Sequence, residues 1–221
     1  MPLPPPCPRA ARIRGIYAIT GDAPDTATLL AQAGAALHAG IRLLQYRQKH
    51  ACAARRRSQL QALQPLCARH QALLIVNDDW QLAAELGLDA VHLGADDGDV
   101  QAARQALGPE ALIGVSCYAS VERARQLAPY ADYLAFGALF VSGTKPGARP
   151  APLQVLTEAR AAGLGRPLVG IGGITAANLG SVFHAGADAV AVIGSLFGTA
   201  DVAGAARALQ DAAQQAMRSG V

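Results

Sequence analysis

The chain has 221 residues, of which 52% are hydrophobic and 16% charged, and its formal net charge is +3. These values exclude a disordered or highly charged chain, and 23 glycines and 13 prolines without a short period exclude a collagen-like one. The length suits one domain whose core is large enough to fold without disulfide or metal staples.

Residues 1–14 begin MPLPPPCP, which lacks the apolar run of a signal peptide and reads as a disordered, proline-rich lead-in. From residue 15 onward, short apolar runs alternate with longer Ala/Leu-rich stretches of helical period. Strands are predicted over 16–20, 43–47, 73–77, 90–93, 112–116, 133–137, 168–172 and 189–194. Helices are predicted over 26–39, 52–70, 80–86, 100–107, 121–128, 153–162, 176–185 and 203–217, with Thr175 and Asp201 as N-caps of the last two. Near-continuous apolar strands suit a parallel sheet covered on both faces. Eight strand–helix pairs imply an α/β chain closed into a (β/α)8 TIM barrel, one domain over residues 15–221. A doubly wound open sheet is the alternative, but no G-x-G-x-x-G fingerprint follows the first strand. The similar stretches ELGLDAV (85–91) and HAGADAV (184–190) read as one helix-to-strand turn used twice.

Cys7, Cys52, Cys67 and Cys117 show no CxxC spacing and no zinc pattern with the histidines, and read as free thiols of a cytoplasmic protein. No apolar run reaches the roughly 18 residues of a membrane helix. The basic residues form no stripe with interleaved aromatics, so neither membrane nor nucleic acid is an expected partner. Oligomeric state is left open. Among the basic residues the only lysines are Lys49 and Lys145; the rest are arginines.

In a barrel of this kind chemistry sits at the C-terminal ends of the strands, so polar residues there are the candidates. The second strand ends in Gln45, Tyr46, Arg47, Gln48 and Lys49. Gln45, Arg47 and Lys49 share one parity, and two cations at one strand end mark an anion site. The third ends in Asn77, Asp78 and Asp79; Asp79 is expected to cap the next helix, leaving Asn77 and Asp78 at the mouth. After the fourth come His92 and the acids Asp96, Asp97 and Asp99, one of them a helix cap and another placed to meet Asp78. A carboxylate pair with spare oxygens suits a hard cation such as Mg2+, which completes its shell with substrate phosphates. His92 reads equally as a satisfied buried histidine or a ligand contact. The fifth strand ends at Ser116. The sixth is followed by a long connection holding Ser142, Gly143, Thr144 and Lys145, whose hydroxyls, amides and ammonium can cradle phosphate. Glycine-rich turns after strands seven and eight, at Gly172, Gly173 and Gly194, make a phosphate-monoester site. The mouth therefore carries two anion sites, one with a metal near strands two to four and one near strands six to eight.

In combination and order, QYRQK (45–49), NDD (77–79), HLGADD (92–97), GVS (114–116), TKPG (144–147) and VGIGGIT (169–175) resemble the thiamine-phosphate synthase (thiamine-phosphate pyrophosphorylase) family, from residue 15 to the C-terminus. The resemblance implies a transferase that condenses 4-amino-2-methyl-5-(diphosphooxymethyl)pyrimidine with a (carboxy)thiazole phosphate. The products would be thiamine monophosphate and pyrophosphate, plus CO2 from the carboxylated thiazole. It implies a dissociative, Mg2+-assisted mechanism in which the thiazole nitrogen captures a pyrimidine methyl cation. Arg47, Lys49 and Lys145 would be the catalytic cations, and Asp78 and Asp97 the metal ligands. Gln45, Tyr46, Arg47, Gln48, Lys49, Asn77, Ser116 and Lys145 would bind the pyrimidine diphosphate. Ser142, Gly143, Thr144, Gly173, Ile193 and Gly194 would bind the thiazole phosphate. Two positions depart from the pattern: Ser142 stands where members often carry Thr, and Gly194 where Ser is usual, leaving only a backbone donor there. The related thiazole tautomerase needs no pyrophosphate site, so Asp78, Asp97 and both lysines favour the synthase. A non-catalytic barrel that senses thiazole phosphate would have no use for them either.

Overall fold

The computed structural model describes residues 3–94, 99–141 and 151–219. Eight strands, β1 (Gly15–Ile19), β2 (Leu43–Tyr46), β3 (Leu73–Asn77), β4 (Ala90–Leu93), β5 (Leu112–Tyr118), β6 (Tyr133–Phe136), β7 (Leu168–Ile171) and β8 (Ala189–Val192), pair in parallel in chain order. Strand β8 closes onto β1, with Gly15 opposite Ala189. Helices α1 (Thr26–His38), α2 (Ala53–Arg69), α3 (Trp80–Glu85), α4 (Val100–Leu107), α5 (Val121–Leu127), α6 (Gln154–Ala161), α7 (Leu179–His184), α8 (Gly194–Phe197) and α9 (Val202–Ser219) surround the barrel. The fold is the (β/α)8 barrel that the alternating pattern predicts.

Local chemistry sets the helix starts. Asp25, Asp79, Asp99, Ser120 and Asp201 each accept a backbone N–H from the first turn of the helix that follows. Thr175 does not cap. Asn178 Oδ1 accepts from Thr175 N at 2.8 Å and its Nδ2 donates to Gly173 O at 3.0 Å, which delays α7 to Leu179. The last strand stops at Val192, because Ile193 turns the chain into the short α8.

Strand parity divides the apolar residues into two layers. Ile16, Ala18, Leu44, Tyr46, Leu74, Val76, Val91 and Leu93 face outward and pack with the helices. Tyr17, Ile19, Leu43, Leu73, Ile75, Leu112, Tyr133, Ala135, Val169, Ala189 and Ala191 fill the interior. Cys7, Ala10 and Ile13 belong to that inner cluster. Residues Pro8–Arg12 form a 3-10 helix, so the expected disordered lead-in is corrected over residues 3–14. The physical reason is an open barrel end: the inner side chains of the lowest layer would meet water unless something covered them, and Cys7, Ala10 and Ile13 bury against them. Polar contacts fix the plug to the N-terminal ends of the strands. Cys7 N donates to Asp132 Oδ1 at 2.7 Å, Arg9 bonds Asp89, Arg12 bonds Gln71 O, and Arg166 reaches Pro4 O at 2.6 Å.

Asp132 is the hub of this face. Its side chain is buried and also accepts from Ile113 N at 2.8 Å and from Arg104. Asp132→Ala therefore leaves the Cys7 and Ile113 amides without their acceptor and removes the carboxylate partner of the half-buried Arg104 guanidinium. It should lower unfolding free energy by about 3 kcal/mol in a denaturant titration, while kcat/KM of the surviving folded protein is unchanged; a loss below about 1 kcal/mol contradicts this role.

Burial pushes the Cys67 and Cys117 thiols from 9.0 up to about 12. A thiol pKa raised in the fold contributes its full stability below pH 9 and loses it as the pH rises toward 12, because the unfolded thiols ionise first. Stability at about pH 10.5 should fall below that at pH 8 by about 2 kcal/mol per thiol, read by urea unfolding under reducing conditions; equal midpoints would refute it.

Candidate active site

A cavity of about 680 Å3 opens at the C-terminal end of the barrel. One wall comes from β2 and β3 and carries Gln45, Arg47, Lys49, Asn77 and Asp78. Thr20 Oγ1 accepts from Arg47 N at 2.8 Å and donates to Arg47 O at 3.0 Å, fastening the end of β2 to the end of β1. Asp22 Oδ1 accepts from Lys49 N at 2.9 Å. Among the described residues, neither the Arg47 nor the Lys49 side chain has an ion pair. Their charges are available to a bound anion. Asp78 has φ +66, a left-handed conformation that aspartate adopts more readily than most side chains. Its N–H donates to His92 O at 2.9 Å, which locks the end of β3 to β4.

Tyr46 and Gln48 have the opposite parity. Tyr46 Oη donates to Gln59 Oε1 at 2.7 Å beneath α2, and Gln48 Nε2 donates to Ala23 O at 3.1 Å. Both line a smaller cavity of about 170 Å3 beside the barrel wall, with Arg56 and Asp79. Alternation along β2 thus keeps Tyr46 and Gln48 out of the main cavity, and the cavity they do line shares Lys49, Asn77 and Asp78 with it.

The opposite wall comes from the turns after β7 and β8, with Gly172, Gly173, Ile193, Gly194 and Ser195. Gly172 (φ +99) and Gly173 (φ +64) admit no side chain: a Cβ would lie 2.4 Å from Ala138 Cβ and 2.6 Å from Val141 O respectively. That close approach lets Leu139 N and Phe140 N bond Ile171 O and Gly172 O at 2.9 and 3.0 Å. Ser195 Oγ is buried with no partner among the described residues. Sequence reasoning did not single it out, although it follows the position where a family serine is expected. Asp97, Ser142, Gly143, Thr144 and Lys145 lie outside the described residues.

The floor is a chain of polar side chains across the barrel interior. Gln45 Nε2 donates to Tyr17 Oη at 2.8 Å, and Tyr17 Oη meets Tyr133 Oη at 2.8 Å. Tyr133 Oη meets His92 Nδ1 at 3.0 Å, and His92 Nε2 meets Ser116 Oγ at 3.0 Å. Gln45, Tyr17, Tyr133 and His92 are all buried. Burial pushes both phenols well above 10.0, so both remain protonated. Gly114 makes the arrangement possible. It pairs with His92 on β4 and Tyr133 on β6, and the Tyr133 ring crosses it to stack on His92, centroids 5.6 Å apart. A Cβ at 114 would lie 1.9 Å from Tyr133 Cζ. His92 is thus a satisfied buried histidine and also part of the site. Tyr17 and Tyr133 escaped the sequence reading because inward aromatic residues look like core; the signal was a hydroxyl-bearing ring opposite an inward glycine.

For a metal, the donor set at the mouth is hard: the Asp78 carboxylate beside the Asn77 amide. This fits a cation of the Mg2+ type, which uses few protein ligands and takes substrate oxygens. Among the described residues no three His, Cys, Asp or Glu side chains gather as a metal site.

Cations, a carboxylate and glycine turns around one barrel mouth define an enzyme of small phosphorylated substrates. Residues 16–196 match the family model described as thiamine monophosphate synthase, and the chain belongs to that family. It is 55% identical over 199 residues to the thiamine-phosphate synthase of Chromobacterium violaceum, covering 90% of this chain and 95% of that one. It is 52% identical over 196 residues to that of Methylobacillus flagellatus, covering 88% and 93%. The structure of thiamine phosphate pyrophosphorylase from Pyrococcus furiosus superposes with a TM-score of 0.81 at 29% identity, covering 92% and 96%. The chain is accordingly an enzyme, a transferase. Among the described residues no helix is long and apolar enough to cross a membrane.

Gly114→Ala should force the Tyr133 ring off β5, at a cost of about 1–3 kcal/mol of stability and a large loss of activity; a variant with the parent's melting temperature and kcat/KM would show that the ring does not need this space.

Proposed function

We propose that the enzyme condenses 4-amino-2-methyl-5-(diphosphooxymethyl)pyrimidine with a thiazole phosphate, free or carboxylated, to give thiamine monophosphate and pyrophosphate, with CO2 lost from the carboxylated form. The observation that carries this reading is the common cavity: Arg47 and Lys49, without an ion pair among the described residues, stand with Asp78 on one wall and glycine turns on the other. The four cysteines are free thiols, in keeping with a cytoplasmic enzyme.

The pyrimidine's C–O bond breaks, and its electron pair leaves with the pyrophosphate. The thiazole nitrogen then supplies the pair for the new C–N bond, so the bond-forming step needs no protein base. Arg47 and Lys49, with Lys145, hold the negative charge that builds on the leaving group, and Asn77 donates to it. Charge stabilisation by preset donors and orientation of the nucleophile are the two sources of rate such a site offers. Asp78 and Asp97 would hold Mg2+, which supplies further charge neutralisation to the diphosphate. Gln45 and Ser116 hold the pyrimidine ring. Gly173, Ile193 and Gly194, with Ser142, Gly143 and Thr144, hold the thiazole phosphate. Gly194 offers only its backbone there, and the buried Ser195 hydroxyl next to it is the nearest side-chain donor in sequence.

Purified enzyme should release pyrophosphate only when both substrates and Mg2+ are present, and EDTA should abolish release. Folded protein that releases none, or that is indifferent to EDTA, contradicts the reading. Asp78→Asn keeps a residue tolerant of φ +66 while removing the charge. It should lower kcat by roughly a hundredfold or more with an unchanged melting temperature; normal turnover at ordinary Mg2+ would remove Asp78 from the metal site.

A further inference from the structure

The floor of the cavity has a direction. Gln45 donates its amide N–H to Tyr17 Oη. Tyr17 has one proton, and with Gln45 as its donor that proton is left for its other partner, Tyr133 Oη, 2.8 Å away. Tyr133, accepting from Tyr17, then has its own proton left for His92 Nδ1, 3.0 Å away. A neutral imidazole that accepts at Nδ1 carries its proton on Nε2 and donates it to Ser116 Oγ. The two ends of the chain are thereby polarised in opposite senses. Gln45 keeps its carbonyl oxygen, an acceptor, for the cavity, and Ser116 keeps its hydroxyl proton, a donor.

This pair is complementary to a heterocycle that donates to Gln45 and accepts from Ser116. A 4-aminopyrimidine offers an exocyclic N–H donor beside a ring-nitrogen acceptor. Its 4-oxo counterpart offers a carbonyl acceptor beside a ring N–H, the reverse. Resting on the aminopyrimidine substrate proposed above, we infer that Tyr17, Tyr133 and His92 are positioning residues that hold Gln45 and Ser116 in the single donor–acceptor sense that selects an aminopyrimidine over its oxo counterpart. Reversal would require all five groups to turn together in a buried interior, where each unmatched donor or acceptor is costly. The Tyr133 ring, held over Gly114 and against His92, and the edge-to-face contact of Tyr17 with Tyr133 at 6.1 Å, keep the middle of the chain from moving aside.

Binding tests this more cleanly than turnover, because the amino group also stabilises the methyl cation. Calorimetry in Mg2+ without thiazole compares the amino and 4-oxo pyrimidine diphosphates on the parent enzyme, on Tyr17→Phe and on Tyr133→Phe. The parent should prefer the amino compound by roughly a hundredfold, the effect of two mismatched hydrogen bonds. Each variant should bring that preference below about tenfold by weakening the amino compound, with thiazole phosphate affinity and the circular dichroism spectrum unchanged. Tyr17→Phe alone suffices if Tyr133→Phe does not fold. A folded variant that keeps the parent's preference overturns the inference, as does a parent enzyme that binds both compounds equally. A parent that binds neither overturns the functional reading itself, and the inference with it.

Discussion

A narrow parallel barrel has room inside for only a few layers of side chains, and every second residue of each strand must enter it. In this enzyme the layer beneath the mouth is polar, and its hydrogen bonds run unbroken from Gln45 through Tyr17, Tyr133 and His92 to Ser116. Such a layer is tolerable only when complete, since a buried donor or acceptor without a partner costs about 1–3 kcal/mol. Completeness imposes the glycine at 114, which yields its space to the Tyr133 ring. It also converts five weakly directional side chains into a rigid floor with a defined polarity, which is what a site that must hold a flat heterocycle in one orientation requires.

Above that floor and below it the barrel divides its labour. The N-terminal end is closed by the plug at Pro8–Arg12 and by Asp132, whose carboxylate gathers the plug, β5 and Arg104. Nothing there faces the cavity. At the C-terminal end Arg47 and Lys49 have no ion pair among the described residues, and Asp78 is held in a left-handed conformation at the end of β3. The buried polar contacts of the plug lie at one end, and the Arg47 and Lys49 cations with the Asp78 carboxylate lie at the other.

Much of this was legible in the sequence. Continuous apolar strands separated by helical stretches ending in glycine led to eight strands and a closed barrel, and the strand-end rule led to Gln45, Arg47, Asn77, Asp78, Ser116 and Gly173, all of which line one cavity. The failures have definite physical causes. Tyr46 and Gln48 share a motif with residues that line the main cavity, but parity decides direction and points them into the smaller one. A proline-rich start looked disordered because composition cannot reveal that a barrel's open end needs a cover. Tyr17 and Tyr133 were hidden because a buried aromatic ring is ordinary, and only the partners of its hydroxyl show that it belongs to a site.

The most direct test of the shared mouth is a crystal structure of the enzyme with Mg2+, an unreactive aminopyrimidine methyl diphosphate analogue and thiazole phosphate. The expected complex has the pyrimidine's amino group on Gln45 Oε1, the diphosphate against Arg47 and Lys49, and the thiazole phosphate at the turns holding Gly173 and Gly194. A diphosphate bound away from Arg47, Lys49 and Asp78, or two ligands in separate cavities, would contradict it.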